Sequence, residues 1–356
     1  MQDEPSESAE ADVAVIGGGP AGSTAATLLA RQGLRVMLFE KELFPRYQLG
    51  ESLMVSTVHG ICPLLGIQEA VATAGFVRKP GGIFGWGASD ALWALPFTQA
   101  GHLAKTGVNY AYHVERSRFD SILLDHARRS GVAVRQGWRV ESIERRDGRV
   151  SGVVAHREGR TIACACNFVV DASGASSGSI GPKVHSRFFR NVGISGYFRG
   201  ASRLDPPLEG GGISEAIDEG WLWFLPLSPE LTSVGVVLDA HASKLGESTE
   251  ALLNGAVARS RHVRDLVANG SRIREGIYGQ TRIRSDYSYL RDCFARDGIF
   301  LCGDAAAFLD PLFTTGVHLA TYSALLAARS ILSICDGMDE RLCIAEFEHR
   351  YRLEFE

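Results

Sequence analysis

Hydrophobic and polar positions along this chain follow two periods, and the switches between them outline a fold. In ADVAVIGGGPAGSTAATLLARQGLRVMLFEK (residues 11–41) an apolar run, a glycine cluster, a helix-forming stretch and a second apolar run follow in order. That order predicts a βαβ unit whose strands are buried on both faces of a parallel sheet. SRFDSILLDHARRSG (117–131) has helical apolar spacing and ends at a glycine, and VAVRQG after it reads as a strand. WRVESIE, RVSGVVAH and TIACACNFVVD, between 138 and 171, read as strands separated by the turn signals RDG and REG. A second β-rich region, from about 190 to 285, holds YFRG, GWLWFLPL, SVGVVLD and GQTRIR, with one helix over 249–258. GIFLCGD is again a buried parallel strand, and FLDPLFTTG leads from it into the helix TGVHLATYSALLAARSIL. The last stretch, MDERLCIAEFEHRYRLEFE, reads as a charged amphipathic helix. In GWLWFLPL, Trp221, Trp223 and Leu225 share the period of two that sends side chains to one face of a strand. A plain buried strand fits that pattern as well as an aromatic wall against a ligand.

No repeat or low-complexity linker divides these regions, so the predicted domains interleave. Residues 11–80, 110–180 and 286–335 form one α/β domain with a Rossmann-type parallel sheet, and 81–109 with 181–285 form a β-rich one. Residues 336–356 are a C-terminal helix and 1–10 a disordered acidic tail. A net charge of -4 without a basic run argues against nucleic acid or a membrane surface as partner. No apolar stretch reads as long enough to span a bilayer, and the opening residues lack the basic start and apolar core of a signal peptide. Seven cysteines with no CxxC pair and no metal-ligand spacing read as reduced, packed thiols in a cytoplasmic protein, with Cys164 and Cys166 on one strand face.

Forty glycines point to close approaches between backbone and ligand. Gly17, Gly19 and Gly22 form GxGxxG after a predicted strand and at the opening of a helix, with Ala21 inside the turn. Such a turn lets the backbone approach a pyrophosphate, and the helix N-terminus behind it supplies N–H groups and positive potential. Glu40 closes the next strand eighteen residues after Gly22, where a carboxylate accepts from ribose hydroxyls. In LCGDAAAFLDP, Asp304 follows a buried strand directly, the place where open α/β sheets bind ligands, though a helix N-cap alone accounts for an aspartate there.

The order GxGxxG early and GD late resembles the flavoproteins related to para-hydroxybenzoate hydroxylase, of the glutathione-reductase-like fold. The resemblance implies an FAD domain interleaved with a β-rich substrate domain, with Asp304 on the ribityl chain. Arg116 in HVERSRFD matches an arginine that reaches the flavin, and Val140 matches a backbone contact to adenine, where a core valine would look the same. DASGASS (171–177) departs from the hydroxylases, and no second GxGxxG offers a nicotinamide site.

Four further motifs, FPRYQLGESLM (44–54), KPGGIFGWG (79–87), GWLWFLP (220–226) and DPLFTTGVHLATYSALLAARS (310–330), are similar to those of the flavin-dependent halogenases. The match spans nearly the whole chain and is nearest the branch acting on phenolic or other aromatic acyl substrates, often tethered to carrier proteins. Tryptophan halogenases share the GWxWxxP and lysine elements but lack FPRxxxGESL. The resemblance implies FADH2 from a separate reductase, O2, and chloride or bromide. Flavin hydroperoxide would yield hypohalous acid that passes to Lys79. It further implies flavin contacts at Arg46, Glu51, Ser52 and Val317, halide on the amides of Thr315 and Gly316, and a barrier of Trp221, Trp223 and Pro226. Outside the family, RKPGG reads as an exposed turn lysine and TTG as a helix cap. His113, Glu115 and His318 are expected to be structural. Relatives continue beyond the last helix and hold part of their specificity there. The competing expectations are an aromatic-ring flavin monooxygenase and a non-catalytic flavin-binding partner of a biosynthetic assembly.

Overall fold

The run Val13–Ile16 forms the middle of a six-stranded sheet whose order is Ala295–Arg296, Ile299–Leu301, Phe168–Asp171, Val13–Ile16, Val36–Glu40, Ala133–Gln136. This computed structural model describes residues 6–87, 89–99, 105, 107–187, 190–239, 248–285 and 288–355. Every pairing in the sheet is parallel except that of the short edge strand Ala295–Arg296. Helices Pro20–Arg31 and Gly316–Cys335 pack on each other and share one core with the sheet, which is why its four central strands are mostly apolar. The chain steps outward from Val13–Ile16 to Val36–Glu40 and Ala133–Gln136 and later returns to Phe168–Asp171 on the other side, so the carboxyl end of Val13–Ile16 is the switch point at which such sheets bind ligands.

An eight-stranded sheet stands across from that end. Its main path runs Ser271–Arg272, Asn191–Arg199, Leu231–Asp239, Gly220–Pro226, Gly212–Ile217, Gly81–Gly85, Trp93–Pro96, and Arg282–Ser285 also pairs with Asn191–Arg199. Gly220–Pro226 lies inside the sheet and is covered on both faces. Leu222 and Phe224 join a core with helices Thr249–Arg259 and Val263–Val267, while Trp221 and Trp223 meet Leu49, Phe308 and Leu312 on the other face. The two-residue period therefore divides one strand between a core and a cavity.

The expected disordered tail is corrected for residues 6–10. Ser6–Glu10 is a strand running parallel to Arg160–Ala165, at the edge of a four-stranded sheet with Arg149–Arg157 and Arg139–Arg146. The free edge of Arg160–Ala165 supplies a ladder, and the acids of the segment find Arg35 (Glu10, 3.2 Å) and Arg135 (Glu7, 3.7 Å). Residues 1–5 of that expectation lie outside the described residues. A second correction concerns Gly316–Cys335, which is long and apolar enough to cross a bilayer by length and composition. It lies within the fold, between Pro20–Arg31 and the C-terminal helix Glu340–Phe355, and its apolar residues line the core. All seven cysteines are free thiols, and Cys164 and Cys166 face the same core.

Candidate active site

A cavity of about 920 Å³ opens at the switch point, between the glycine turn and the Trp221–Trp223 face of the large sheet. Gly17, Gly19 and Ala21 line its floor. Gly17 has φ of +104°, and a Cβ on it would collide with the carbonyl oxygen of Ala172. A Cβ on Gly22 would strike the carbonyl oxygen of Gly17, so Gly22 closes the helix onto the turn without itself reaching the cavity. Glu40 is held by two backbone donors, the N–H of Gly18 on Oε2 (2.7 Å) and that of Glu42 on Oε1 (2.8 Å). Each oxygen keeps acceptor capacity toward the cavity it lines. Val140 is half-buried and lines the same space.

Two arginines have different roles. Arg116 touches the cavity, but its guanidinium is committed: Nε and Nη2 donate to Asp120 (2.7 and 2.9 Å), and Nη1 donates to the carbonyls of Leu49 and Gly50 (2.7 and 3.2 Å). It pins the loop between Arg46 and Ser52 to the helix Arg116–Arg129. Arg46 lies beside the glycine turn, with Nη2 3.3 Å from the position a Cβ on Gly19 would take. Asp304 receives Nη2 of Arg284 (3.1 Å), and Gly303 before it has φ of +60°. Both Asp304 and Arg284 line the cavity. These glycines, the two acids and Arg46 fit a dinucleotide-sized flavin: acceptors for hydroxyls, open backbone for phosphates and a cation beside it.

The wall is Trp221 and Trp223, whose rings lie 5.9 Å apart, with Leu225 beside them. Trp223 donates its indole N–H to Ser233 Oγ (3.2 Å) and lies across Gly235, where any Cβ would overlap the ring. Pro226 ends the strand and does not reach the cavity.

Lys79 ends the strand Val77–Lys79, which pairs antiparallel with Ala111–His113. It is buried at 7% exposure, unlike the surface lysine that RKPGG suggests. Its Nζ donates to Ser52 Oγ (2.9 Å), Thr314 Oγ1 (3.3 Å) and the carbonyl of Leu53 (3.4 Å), and lies 5.7 Å from the Phe97 ring centre. Burial pushes its pKa down to about 8. Lys79 does not line the flavin-sized cavity, but Ser52 and Thr314 do, so two hydroxyls join the ammonium to that space. Thr314 adopts the left-handed conformation (φ +60°), and Thr315 follows it at the N-cap of Gly316–Cys335. Gly316 and Val317 line the cavity while Thr315 does not.

Sequence reasoning missed several partners. Asp120 holds Arg116 and lies 3.1 Å from Arg46, and its i, i+4 spacing from Arg116 was a readable signal. Thr314 stood only as part of the TTG turn, and Tyr197 had no signal. Tyr197 donates its hydroxyl to Glu51 Oε1 at 2.5 Å, and Glu51 sits so deep that burial raises its pKa to about 7. His318 bridges Ser56 Oγ (2.9 Å) and Glu354 (2.7 Å), tying the long helix to its neighbours.

This fold and cavity define an FAD-binding flavoprotein, and residues 10–194 match the model of the FAD binding domain. Residues 103–356 match the tryptophan halogenase model. The chain is 38% identical over 347 residues to tryptophan 2-halogenase of Chondromyces crocatus, covering 95% of this chain and 64% of that one. It is 33% identical over 356 residues to the flavin-dependent halogenase otaD of Aspergillus carbonarius, covering 92% and 69%. The solved structure of the myxobacterial chondrochloren halogenase CndH superposes with a TM-score of 0.94 at 44% identity, over 98% of this chain and 80% of that one. The chain belongs to the flavin-dependent halogenase family, and it spans about two thirds of the length of these curated relatives.

Proposed function

We propose that this protein is an FADH2-dependent halogenase acting on an aromatic, phenolic compound, either free or tethered to a carrier protein. A separate flavin reductase supplies the reduced cofactor. The observation that carries this reading is Lys79: a buried ammonium outside the flavin cavity, joined to it through the hydroxyls of Ser52 and Thr314.

Reduced FAD, when bound, supplies the oxygen activation that turns a halide into hypohalous acid. Gly17, Gly19, Ala21 and Arg46 would hold its pyrophosphate, Glu40 and Val140 the adenosine end, and Asp304 the ribityl chain. Gly22 closes the helix behind that turn. Arg116 and Asp120 hold the loop with Glu51 and Ser52 beside the cavity, where these residues and Val317 would meet the flavin ring. Amides at the start of Gly316–Cys335 have no acceptor within the helix, so the turn of Thr315 and Gly316 suits a halide ion. Trp221 and Trp223 keep an organic substrate off the flavin, while Ser52 and Thr314 offer a small polar oxidant a route to Lys79. The ammonium, exchanging one of its longer contacts to Thr314 or Leu53 for the oxidant, then polarises it for attack by an electron-rich ring.

The test supplies the FAD-loaded protein with a flavin reductase, O2 and chloride or bromide. Free and carrier-bound phenols and pyrroles, with tryptophan beside them, are followed by mass spectrometry. Halogenated product is expected, abolished in Lys79→Ala with FAD binding retained. Hydroxylated product would favour a monooxygenase, and full halogenation by Lys79→Ala would remove Lys79 from the mechanism.

A further inference from the structure

His113 ends the strand Ala111–His113 and is completely buried. In the antiparallel pair Lys79 stands opposite Ala111 and Val77 opposite His113. Lys79 and His113 are thus diagonal neighbours on one face of the ribbon, a spacing that long side chains bridge. Lys79 acts on the imidazole electrostatically: burial first, and the Lys79 charge second, hold its pKa well below the ordinary histidine value. Among the described residues neither Nδ1 nor Nε2 has a hydrogen-bond partner. Each unsatisfied buried polar atom costs about 1–3 kcal/mol, so an imidazole kept this way is explained by a partner that the chain does not itself supply.

The surroundings of the ring say what that partner is. His113 lies over Gly212: a Cβ there would stand 2.8 Å from Cε1 and 2.9 Å from Nε2, and 2.6 Å from Leu225 Cδ2. Leu225 lines the flavin cavity beside Trp221 and Trp223. The imidazole therefore connects the Lys79 site with the end of the wall, and does so as a neutral group beside a cation.

We propose that His113 is a second catalytic residue of the halogen-transfer site: one ring nitrogen accepts the O–H hydrogen bond of hypohalous acid while Lys79 donates to its oxygen. Hypohalous acid has one donor and an acceptor oxygen, and a neutral imidazole beside an ammonium offers one of each in return. Two points of attachment orient the halogen toward the substrate and keep the oxidant from diffusing away. This assignment rests on the role proposed for Lys79.

Two experiments on the full chain test it, using wild type, His113→Phe and His113→Gln. In the first, the FAD-loaded protein turns over with a flavin reductase, bromide and a phenol, and a soluble β-diketone traps hypohalous acid that escapes. Product per flavin reoxidised should fall about tenfold in His113→Phe, the size of one lost hydrogen bond, with escaped oxidant rising. His113→Gln, which offers an acceptor again, should recover part of it. In the second, flavin-free protein meets a low dose of hypochlorous acid, and peptide mass spectrometry gives the share of lysine chlorination falling on Lys79. That share should drop in His113→Phe and recover in His113→Gln. Unchanged coupling and an unchanged Lys79 share in a folded His113→Phe would make the imidazole a packing residue and overturn the proposal. If His113→Phe does not fold, His113→Leu carries both readings. A wild type that makes no halogenated product, yet loses Lys79 chlorination on His113→Phe, would refute the enzymatic reading and uphold the pairing of His113 with Lys79.

Discussion

An ammonium withdrawn from water holds its proton less tightly, and Lys79 carries that cost as part of its position. Its pKa in the fold, about 8, lies below the 10.5 of an unburied lysine, so the folded state penalises the charged form. The penalty is full below pH 8 and fades as pH rises toward 10.5, where the folded and unfolded chains are both neutral at this group. Lys79→Met should therefore raise stability at pH 7 by about 2–3 kcal/mol, less whatever Ser52 and Thr314 lose as partners. Denaturant titrations at pH 7 and pH 10 check this: the advantage should shrink at the higher pH. Glu51 has the opposite sign. Its pKa, raised to about 7, favours the neutral acid in the fold, so its contribution is full below the ordinary 4.5 and lost as pH rises through 7. Glu51→Gln, measured without flavin, should flatten the fall in stability between those pH values. Neither burial was legible in RKPGG or GES, because each depends on segments that meet only in the fold: Thr314 over Lys79, Tyr197 over Glu51.

Among the elements, the wall strand was the most readable. Its period of two assigned Trp221, Trp223 and Leu225 to one face, and they share one apolar cluster there while Leu222 and Phe224 fill the core behind. The period could not reveal that Gly235 on the neighbouring strand is the seat of the Trp223 ring. Gly235→Val should push that ring from the wall and destabilise the protein by about 1–3 kcal/mol, the usual cost of overpacking. Replacing Trp221 and Trp223 by alanine leaves the strand but removes the proposed barrier. It should raise hydrogen peroxide or oxygenated product per halogenated product, and an unchanged ratio would reduce both indoles to core. Arg116 shows the reverse limit. Its motif was legible, but its commitment to Asp120, Leu49 and Gly50 makes it a clamp on the loop beside the flavin site.

At the scale of the molecule, strands from 13–40, 133–136, 168–171 and 295–301 assemble into one sheet, although long segments separate them in sequence. The βαβ unit was legible because glycine spacing and apolar runs are local signals. The strand Ser6–Glu10 was not, because its polar sequence carries no apolar alternation and its backbone ladder and ion pairs are made with segments distant in sequence. The C-terminal helix Glu340–Phe355 was read as charged and amphipathic, yet Phe347 and Tyr351 are fully buried against the parallel-sheet core. Phe347→Ala should cost about 3–5 kcal/mol, seen as a lower urea midpoint with FAD absent.

That helix has one further tie: the Tyr351 hydroxyl donates to the carbonyl of Gly303, the residue before Asp304 (3.1 Å). Occupancy beside Asp304 should therefore be felt at the helix. A ligand that binds only the folded arrangement lowers the population of locally opened states by mass action. Digestion with a protease should cut within 340–355 more slowly as FAD concentration rises, and Tyr351→Phe should weaken that protection. With that outcome the last helix would be a reporter of cofactor occupancy, readable on a gel without substrate.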